Sequence, residues 1–404
     1  MRISGANDEF IAGVLHGGDT RPRAGLLRAL LTPLAWLHQV GLELYLLPYR
    51  TGLRRRFRLR DAHGRPVPTI AIGNLSSGGT GKTPMAALVT RRLMEIGPPG
   101  RSRVRVALLS RGYRAEEEKS VAPRIVSDGA TLFLDANAAG DEPTLLARLL
   151  PGVPVVIGRD RRRSGRLAIE KFAPDVIVLD DALQFWQLHR DLDIVLLDAR
   201  RPFDNGHVLP RGLLREPPRH LNRAGVVVLT RANQATEAEL TDARARVARF
   251  APRAALFTAV HTPTAWMRLP ENTALPLDTF MGRDVFVFAG IADFDSFVRT
   301  VESLGARTVA LKRFPDHHVY SVSDLAELAH EASGCDAIVT TEKDAVKVAS
   351  SWPPGDANDV PPAPPLHALR IALKLDDGPG FSAILRGIVA ETEAGRTTRS
   401  ARRD

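Results

Sequence analysis

The sequence predicts an α/β fold in which a mostly parallel sheet is flanked by helices. From residue 67 onward, short runs of β-branched residues alternate with stretches of helical periodicity, which is typical of parallel strands joined by crossover helices. Several runs are apolar at nearly every position, as expected for strands buried on both faces. After a loop-rich stretch the alternation restarts, which predicts a second, smaller α/β domain.

The predicted elements follow one another along the chain. The strand runs are "PTIAIGN", "VRVALLS", "VPVVIG", "DVIVLDD", "DLDIVLLD", "AGVVVLT", "DVFVFAG" and "DAIVTTEKD". Helices are expected at about residues 82–96, 141–150, 160–172, 235–250, 293–304 and 322–333. Acidic residues open the second of these helices, where they complement the helix dipole.

These elements suggest a division of the chain into two domains. Residues 61–270 are predicted to form the first domain and residues 271–394 the second, followed by a basic tail at 395–404. The boundary lies in the loop-rich stretch "HTPTAWMRLPENTALPLDTFMGRD". The stretch "SSWPPGDANDVPPAPPLH" is predicted to be a proline-rich surface loop.

The composition favours a globular enzyme with an anionic partner. The chain has 404 residues and is 44% hydrophobic, enough for two domains with substantial cores. Its 55 Lys and Arg residues against 46 Asp and Glu residues give a net charge of +9, which suits nucleic acid, a nucleotide or an acidic membrane surface. The single cysteine, Cys335, excludes an intrachain disulfide and is interpreted as a small buried hydrophobe, so we expect a reducing, cytosolic compartment.

The N-terminus is predicted to be a polar extension, residues 1–25, followed by an amphipathic basic segment, residues 26–60. The extension lacks the apolar core of a secretion signal, and polar residues interrupt the segment before it reaches the roughly 18 apolar residues of a spanning helix. The segment carries leucines on one helical face and then arginines: Leu27, Leu30, Leu31, Leu34 and Leu37, then Arg50, Arg54, Arg55, Arg56, Arg58 and Arg60. It either lies on an anionic membrane surface or packs on the protein's own core.

The stretch "GNLSSGGTGKTP", residues 73–84, is nearly the G-x-x-x-x-G-K-[ST] phosphate loop, with Ser76 at the first glycine. It joins a strand to a helix, so backbone N–H groups and the helix N-terminus can face phosphate oxygens. Its glycines allow close backbone approach, Lys82 can reach the β- and γ-phosphates, and the Thr83 hydroxyl can bind Mg²⁺. The first domain is therefore predicted to be P-loop NTPase-like, although a chance glycine-rich turn is the alternative. The predicted nucleotide-binding residues are Ser76, Ser77, Gly78, Gly79, Thr80, Gly81, Lys82 and Thr83.

A phosphate loop also requires a carboxylate on a neighbouring strand for the metal ion. The run "VIVLDD" supplies it at a strand end through Asp180 or Asp181. Taken alone, such a pair is as often a turn or a helix cap. Next to a phosphate loop, it predicts an ATP–Mg²⁺ site.

Further polar stretches follow the predicted strands, at the edge of an open α/β sheet where ligands bind. They are "SRGY", "GDEP", "NGHVLPRGLLREP", "FPDHH" and "TTEKDAVK". Each is weak by itself, since Gly-Asp also makes turns and Glu-Lys-Asp also caps helices. Asp316, His317 and His318 lack a third ligand at a recognisable spacing, so we do not expect a zinc site.

Taken in order, these stretches resemble the tetraacyldisaccharide 4'-kinase family, the membrane-associated P-loop kinases of lipid A synthesis. The resemblance runs from roughly residue 26 to residue 390 and includes the apolar N-terminal segment. It also includes "DDALQ" followed by "RDLDIVLLD", and "FAGI" before "FPDHH". Ser76 fits the resemblance, because the family's loop has Ser or Thr in that region.

The resemblance implies ATP- and Mg²⁺-dependent phosphorylation of the 4'-hydroxyl of a tetraacyl glucosamine disaccharide 1-phosphate. The implied location is the cytosolic face of the bacterial inner membrane. The implied partners are this lipid and the anionic membrane surface, with no nucleic acid.

The resemblance also implies roles for individual residues. Asp141 of "GDEP" corresponds to the base that accepts the sugar hydroxyl proton, and His317 of "FPDHH" to its partner, with His318 as the alternative. The residues that would handle phosphates and Mg²⁺ are Lys82, Thr83, Asp180 and Asp181. Those that would face the substrate or order the cleft are Tyr113, Arg215 and Glu216.

The chain departs from the family pattern at two positions. The family commonly reads D-D-G-F-Q-H or D-D-G-L-Q-H, whereas this chain has Phe185 in place of the final His. A polar contact near the metal ion is lost, which predicts a slower enzyme or one that uses His189, one helical turn later. Leu213 stands where the family more often has Pro, which implies a mild change in loop rigidity.

Two other classes of function compete with a lipid-sugar kinase. One is a nucleotide-dependent switch or metallochaperone-type GTPase, whose guanine signature is N/T-K-x-D. The stretch "TTEKD" places Lys343 directly before Asp344, so this match fails. The other is a weakly active lipid-binding relative, which the substitution to Phe185 suggests.

Overall fold

A computed structural model describes residues 10–11, 13–97, 103–113, 120, 122–352 and 363–400, with side chains up to residue 390. Most of the predicted proline-rich loop lies outside these residues, as do the first nine residues and the last four of the predicted basic tail. The strands are β1 (Thr69–Asn74), β2 (Val106–Ser110), β3 (Arg124–Ser127), β4 (Val155–Ile157), β5 (Val176–Leu179), β6 (Leu192–Asp198), β7 (Val226–Thr230), β8 (Ala255–Arg268), β9 (Thr273–Leu275), β10 (Asp284–Ala289), β11 (Arg307–Arg313), β12 (Ala337–Thr341) and β13 (Leu366–Leu375).

The helices alternate with these strands over most of the chain. They are α1 (Pro22–Arg50), α2 (Lys82–Glu95), α3 (Ala136–Ala139), α4 (Asp141–Leu149), α5 (Arg161–Phe172), α6 (Glu237–Phe250), α7 (Phe294–Ser303), α8 (Val322–Glu331), α9 (Glu342–Val348) and α10 (Gly378–Ser400). Short 3₁₀ helices occur at Pro218–Arg223, Ala232–Gln234, Leu277–Phe280 and Ala349–Ser351.

Each predicted helix and each predicted strand run is present, so the α/β prediction is confirmed. The last run ends earlier than expected, because Thr341 caps helix α9 by accepting a hydrogen bond from the backbone N–H of Asp344. Helix α10 includes residues 395–400, which the sequence places in a tail.

The chain forms two compact units that are discontinuous in sequence. Unit 1 comprises Met1–Arg111, Asp160–Val260 and Lys374–Asp404, and unit 2 comprises Gly112–Arg159 and His261–Leu373. The predicted boundaries differ from this division, since residues 112–159 and 261–270 belong to unit 2 and residues 374–394 to unit 1. The reason is packing between distant segments: α4 packs on α9 in unit 2, and α10 packs on α2 in unit 1.

Unit 1 is built on parallel strands in the order β8, β7, β6, β1, β5 and β2. Strand β1 lies between β5 and β6, with Ile70 in register with Val178 on one side and Leu192 on the other. Every residue of β1 is buried, as expected for a strand covered on both faces. The loops that follow β1 and β5 therefore leave adjacent strands at the same edge of the sheet.

Unit 2 has a parallel set of strands in the order β11, β10, β12 and β13. Antiparallel pairs join β3 to β4 and the end of β8 to β9. Buried aromatic and aliphatic side chains fill the space between these strands and the helices, with Phe286, Phe288 and Leu328 among the least exposed. The strands and core of unit 2 hold in place the start of α4, the loop after β11 and the start of α9.

Helix α1 leaves much of its apolar surface uncovered. Leu30 is 64% exposed and Leu37 69% exposed, while Leu27 and Leu31 are half-buried. The buried residues of the helix are Ala24, Ala35, Leu46 and Tyr49. Packing on the protein's own core therefore accounts for only part of the apolar face. Among the described helices, none combines the length and apolar character needed to cross a bilayer.

Candidate active site

The phosphate loop runs from the end of β1 to the start of α2, as the sequence predicts. Gly81 precedes the first helical residue with φ of 88°, and Gly78 has φ of 127°. Both values lie in the region that favours glycine. A Cβ atom built on Gly78 or Gly79 would meet no atom within 4 Å, so open space faces the loop at these positions.

The carbonyl groups of this loop are held by protein donors. The Asn74 side-chain amide lies 3.3 Å from the Gly78 carbonyl oxygen, and Arg231 donates to the Gly79 carbonyl at 2.7 Å. In a trans peptide the next residue's N–H points opposite to the carbonyl. The N–H groups of Gly79 and Thr80 therefore point away from Asn74 and Arg231, as required for a phosphate cradle.

The backbone conformation of Ser76 explains why glycine is not required there. Ser76 forms an antiparallel bridge with Leu214, so its backbone is extended. The neighbouring Ser77 N–H donates to the Leu213 carbonyl at 2.7 Å, and the Arg215 N–H donates to the Leu75 carbonyl at 2.6 Å. The segment around Leu213 thus pairs with the start of the loop and fixes its path.

Both predicted acidic residues follow β5 directly. Asp180 is buried and lies 3.5 Å from the Ser110 hydroxyl. Asp181 has a left-handed backbone with φ of 42°, and its carboxylate lies 3.8 Å from the Lys82 ammonium and 3.1 Å from Arg215. The carboxylates of Asp180 and Asp181 and the Thr83 hydroxyl are oxygen donors of the kind that Mg²⁺ prefers.

Phe185 lies in a series of turns rather than in a helix. Residues 181–188 form no helix, so the prediction that His189 lies one helical turn later is wrong. The His189 backbone N–H bonds the Phe57 carbonyl, and its ring lies 3.5 Å from Asp191. His189 therefore does not replace the missing family histidine. The Arg161 guanidinium lies 6.0 Å from the centre of the Phe185 ring.

Glu216 is fully buried inside a network of charged and polar side chains. Its carboxylate lies 2.8 Å from His220 and 2.7 Å from Arg223, and it accepts a hydrogen bond from the Gln184 amide at 3.1 Å. The same Gln184 amide donates to the carbonyl of Asn74, the last residue of β1. This burial favours a role for Glu216 in ordering the loop over contact with the substrate. Arg215 instead contacts the Asp181 carboxylate.

In unit 2, Asp141 and His317 are brought together from positions far apart in sequence. Asp141 is the first residue of α4, and its Oδ1 accepts a hydrogen bond from the Glu142 N–H at 2.9 Å. Its Oδ2 lies 3.0 Å from the His317 Nδ1. His318 instead lies 3.1 Å from Asp324, so His317 is the histidine in contact with Asp141.

Lys343, which sequence reasoning did not assign to this group, contacts both residues. Its ammonium lies 3.1 Å from the His317 Nε2 and 3.7 Å from the Asp141 Oδ2. An ammonium only donates, so Nε2 accepts and Nδ1 carries the proton that is donated to Asp141. The signal was present in "TTEKDAVK", but nothing in the sequence indicated that the start of α9 would meet the start of α4.

The Asp141 carboxyl is buried but remains an acid of low pKa. Burial alone raises its pKa, while the hydrogen bond from His317 and the charge of Lys343 lower it by more. The pKa therefore lies below its ordinary value, and the carboxylate is ionised at neutral pH.

Near the Asp141–His317 pair, the half-exposed Tyr113 ring meets the His317 ring edge to face, with 6.1 Å between centres.

The comparison with known families finds one match along most of the chain. The profile of the family described as Tetraacyldisaccharide-1-P 4'-kinase matches residues 27–390. A protein named Tetraacyldisaccharide 4'-kinase from Anaeromyxobacter dehalogenans is 45% identical over 78% of this chain and 83% of its own length. One of the same name from Geobacter metallireducens is 43% identical over 80% of this chain and 89% of its own length.

A solved structure is similar along nearly the whole chain. It is the crystal structure of the "apo" form of LpxK from Aquifex aeolicus in complex with ATP. The TM-score is 0.72 at 30% identity, over 90% of this chain and 99% of that chain.

Proposed function

The chain belongs to the tetraacyldisaccharide-1-P 4'-kinase family, and from this premise we propose how its own residues carry out the reaction. It is an ATP-dependent kinase that phosphorylates the 4'-hydroxyl of a tetraacyl glucosamine disaccharide 1-phosphate in lipid A biosynthesis. The observation that carries this assignment is the family match over residues 27–390, which includes the phosphate loop and the Asp141–His317 pair.

The test of this function is the transfer of ³²P from γ-labelled ATP to a lipid disaccharide 1-phosphate. We expect label in a lipid that carries two phosphates. Release of labelled phosphate to water with no labelled lipid would contradict the assignment and favour a nucleotide-dependent switch.

The packing of Asp344 argues against a guanine-binding switch. Asp344 is fully buried, and its carboxylate accepts hydrogen bonds from the Gly290 N–H, the Tyr320 hydroxyl and the Thr341 hydroxyl. A carboxylate committed to these donors is not available to read a base. The intact phosphate loop and Asp141–His317 contact likewise favour an active kinase over a lipid-binding relative.

The loop amides and Lys82 bind the phosphates of the donor, ATP. The loop carbonyls face Asn74 and Arg231, which leaves N–H groups for phosphate oxygens. Thr83, Asp180 and Asp181 would hold Mg²⁺, since they offer the oxygen donors that this ion prefers. When bound, the cation supplies positive charge to the transferring phosphate.

On the acceptor side, Asp141 is the base that takes the proton of the 4'-hydroxyl. His317 holds the carboxylate through Nδ1–H, and the Glu142 N–H holds the other oxygen, so the orientation of the carboxylate is fixed. Lys343 keeps the histidine in the tautomer that donates to Asp141. Because the pKa of Asp141 is lowered, the base is present in its reactive, ionised form at neutral pH.

This arrangement predicts a shift of pH dependence for Lys343→Met. Burial raises the pKa of Asp141, and the Lys343 ammonium opposes this rise, so the pKa of Asp141 should increase in the variant. As the pH falls, the variant should therefore lose activity at a higher pH than the wild type does. We expect kcat to fall by roughly 10-fold to 100-fold, less than for loss of the base itself. The measurement is the pH profile of kcat for the variant and the wild type.

The control is Lys374→Met, which removes an exposed lysine of unit 1. Its pH profile should match that of the wild type. An unchanged acid limb in Lys343→Met would show that Lys343 does not act on Asp141.

We also propose that α1 lies on the anionic cytoplasmic surface of the inner membrane, as a peripheral contact. The exposed leucines of α1 supply an apolar face, and the arginines that follow supply positive charge. Each arginine or lysine near such a surface contributes on the order of 1 kcal/mol. The two features together give apolar insertion and electrostatic attraction.

We expect the full chain to bind anionic vesicles more tightly than neutral ones, and the difference to shrink with salt. Leu30→Ser with Leu37→Ser should lower vesicle affinity by at least about 10-fold, since a buried leucine side chain contributes roughly 1.5–3 kcal/mol. The matched control, Val309→Ser with Leu311→Ser, changes exposed residues of β11 and should have no effect. Sedimentation with vesicles measures both, and equal binding to neutral and anionic vesicles would count against the membrane orientation.

A further inference from the structure

A strongly basic cavity of about 610 Å³ opens in unit 1 beside the last turn of α1. The linker that follows α1 contributes Arg54, Arg55, Arg56, Arg58 and Arg60 to its lining. Helix α5 contributes Arg162 and Arg166. None of the described residues that line the cavity is acidic. The sequence indicated basic residues after α1, but not that they enclose a space together with α5.

Only some of these arginines have their charge balanced by the protein. Arg58 pairs with Asp191 at 2.6 Å and Arg162 with Asp160 at 2.7 Å. Arg54 lies over the Tyr49 ring and Arg166 over the Phe57 ring, which are cation–π contacts rather than ion pairs. In the part of the chain that the structure describes, Arg54, Arg55, Arg56 and Arg166 form no ion pair with a carboxylate. The cavity therefore holds several positive charges without compensation.

Two further features of the lining indicate that an anion belongs there. Tyr49 is 8% exposed, and its hydroxyl makes no hydrogen bond of normal geometry to a described residue, although burial and the nearby Tyr45 side chain raise its pKa. A buried hydroxyl that is so weakly bonded would gain from a ligand oxygen. Burial lowers the pKa of Arg56, and the charge of Arg190 lowers it further while Asp193 opposes this, so a partly buried guanidinium lines the cavity.

The size and chemistry of the cavity fit a phosphate ester better than a simple ion. Its volume lies within the range of about 300–1,000 Å³ that is usual for small-molecule sites. Guanidinium groups bind phosphate oxygens in pairs of parallel hydrogen bonds, which favours phosphate over chloride. A single inorganic ion would leave most of the space unfilled.

The surroundings indicate that the phosphate ester carries acyl chains. The exposed apolar face of α1 continues to the cavity end of the helix through Leu44 and Leu47, which are 63% and 52% exposed, and Leu53 follows the helix with 84% exposure. We propose that the cavity binds the phosphate group of an acylated lipid, with its chains along this face. The proposal rests on the proposed membrane orientation of α1, and the lipid is either a membrane phospholipid or the 1-phosphate of the substrate.

The test uses the full chain with Arg55→Ala and Arg166→Ala combined, because both residues are exposed and neither forms an ion pair with any residue that the structure describes. The matched control is Arg244→Ala with Arg253→Ala, which removes the same charge from exposed positions of unit 1. One arm measures binding to phosphatidylcholine vesicles that contain phosphatidic acid. The other measures kcat and KM for the lipid disaccharide 1-phosphate in neutral detergent micelles.

If a membrane phospholipid occupies the cavity, the cavity variant should lose about 30-fold in vesicle affinity, against less than about 3-fold for the control, with KM in micelles unchanged. If the substrate phosphate occupies it, KM should rise at least about 10-fold with kcat within about 2-fold, and vesicle binding should equal that of the control. Tyr49→Phe should weaken the affected binding by about 3-fold in either case, without loss of charge.

A cavity variant that matches its control in both arms would overturn the proposal. This outcome differs from failure of the proposed membrane orientation, which would remove wild-type vesicle binding itself. It also differs from failure of the kinase assignment, which would remove ³²P transfer in the wild type.

Discussion

Lys82→Ala is expected to abolish phosphoryl transfer. Lys82 is the first residue of α2, and its side chain is only 11% exposed, with its ammonium 3.8 Å from the Asp181 carboxylate. In this position it adds a full charge to the backbone N–H groups at the start of the helix. It both binds the β- and γ-phosphates and stabilises charge that develops during transfer, so kcat should fall by at least about 10³.

The measurement is ³²P transfer from ATP to the lipid disaccharide 1-phosphate, together with nucleotide affinity. Lys171→Ala is the matched control, because Lys171 lies on α5 of the same unit and pairs with the exposed Glu170 on the surface. The control should retain wild-type turnover. Near-normal activity of Lys82→Ala would remove the phosphate loop from the mechanism.

The sequence predicts best those elements whose burial follows from the spacing of their apolar residues and from the turns that bound them. Strand β1 is apolar and buried throughout, and α2 begins at the glycine-rich turn, so both are found where expected. Strand β11 is absent from the sequence prediction, because its large apolar residues are exposed and do not form the buried apolar run that identifies the other strands. Val309 and Leu311 are exposed, while Thr308, Ala310 and Lys312 are half-buried.

The contacts around Asp141 were also not predictable from local sequence patterns. The phosphate loop and the carboxylates after β5 follow from local spacing, since loops after adjacent parallel strands leave the same edge. The contact of Asp141 with His317 joins residues 176 positions apart and was expected only from the family resemblance. Lys343 was missed because its contact requires α9 to pack on α4, and no local pattern encodes the packing of two helices so distant in sequence.

The buried network around Glu216 was equally hidden from sequence. The family resemblance implies that Glu216 faces the substrate or orders the cleft, and the structure buries it fully among His220, Arg223 and Gln184. His220 in turn lies 2.8 Å from Glu43 of α1. A charged residue in a polar stretch is normally predicted to be exposed, and only the partners of Glu216 from two other segments make its burial possible.

Asp141→Ala and His317→Ala should each lower kcat by roughly 10² to 10⁴, the usual effect of losing a general base. Asp141 is the proposed base, and His317 donates to its Oδ2 at 3.0 Å. ATP affinity should change little, because Lys82 and the loop amides hold the phosphates. His318→Ala is the matched control, since this neighbouring histidine contacts Asp324 and not Asp141.

The two losses should not multiply, because the histidine acts only through the carboxylate that it orients. In His317→Ala the burial penalty on Asp141 remains while its strongest stabilising hydrogen bond is gone, so the pKa of Asp141 rises. In His317→Ala, the fall of kcat at acid pH, which reflects protonation of Asp141, should therefore move to higher pH. In Asp141→Ala this fall should be absent, because the titrating group has been removed. The double variant should resemble the worse single variant, as expected for residues that work as one unit. Fully multiplicative losses would separate the two residues, and wild-type activity of Asp141→Ala would leave the "GDEP" turn as a helix start with no part in proton transfer.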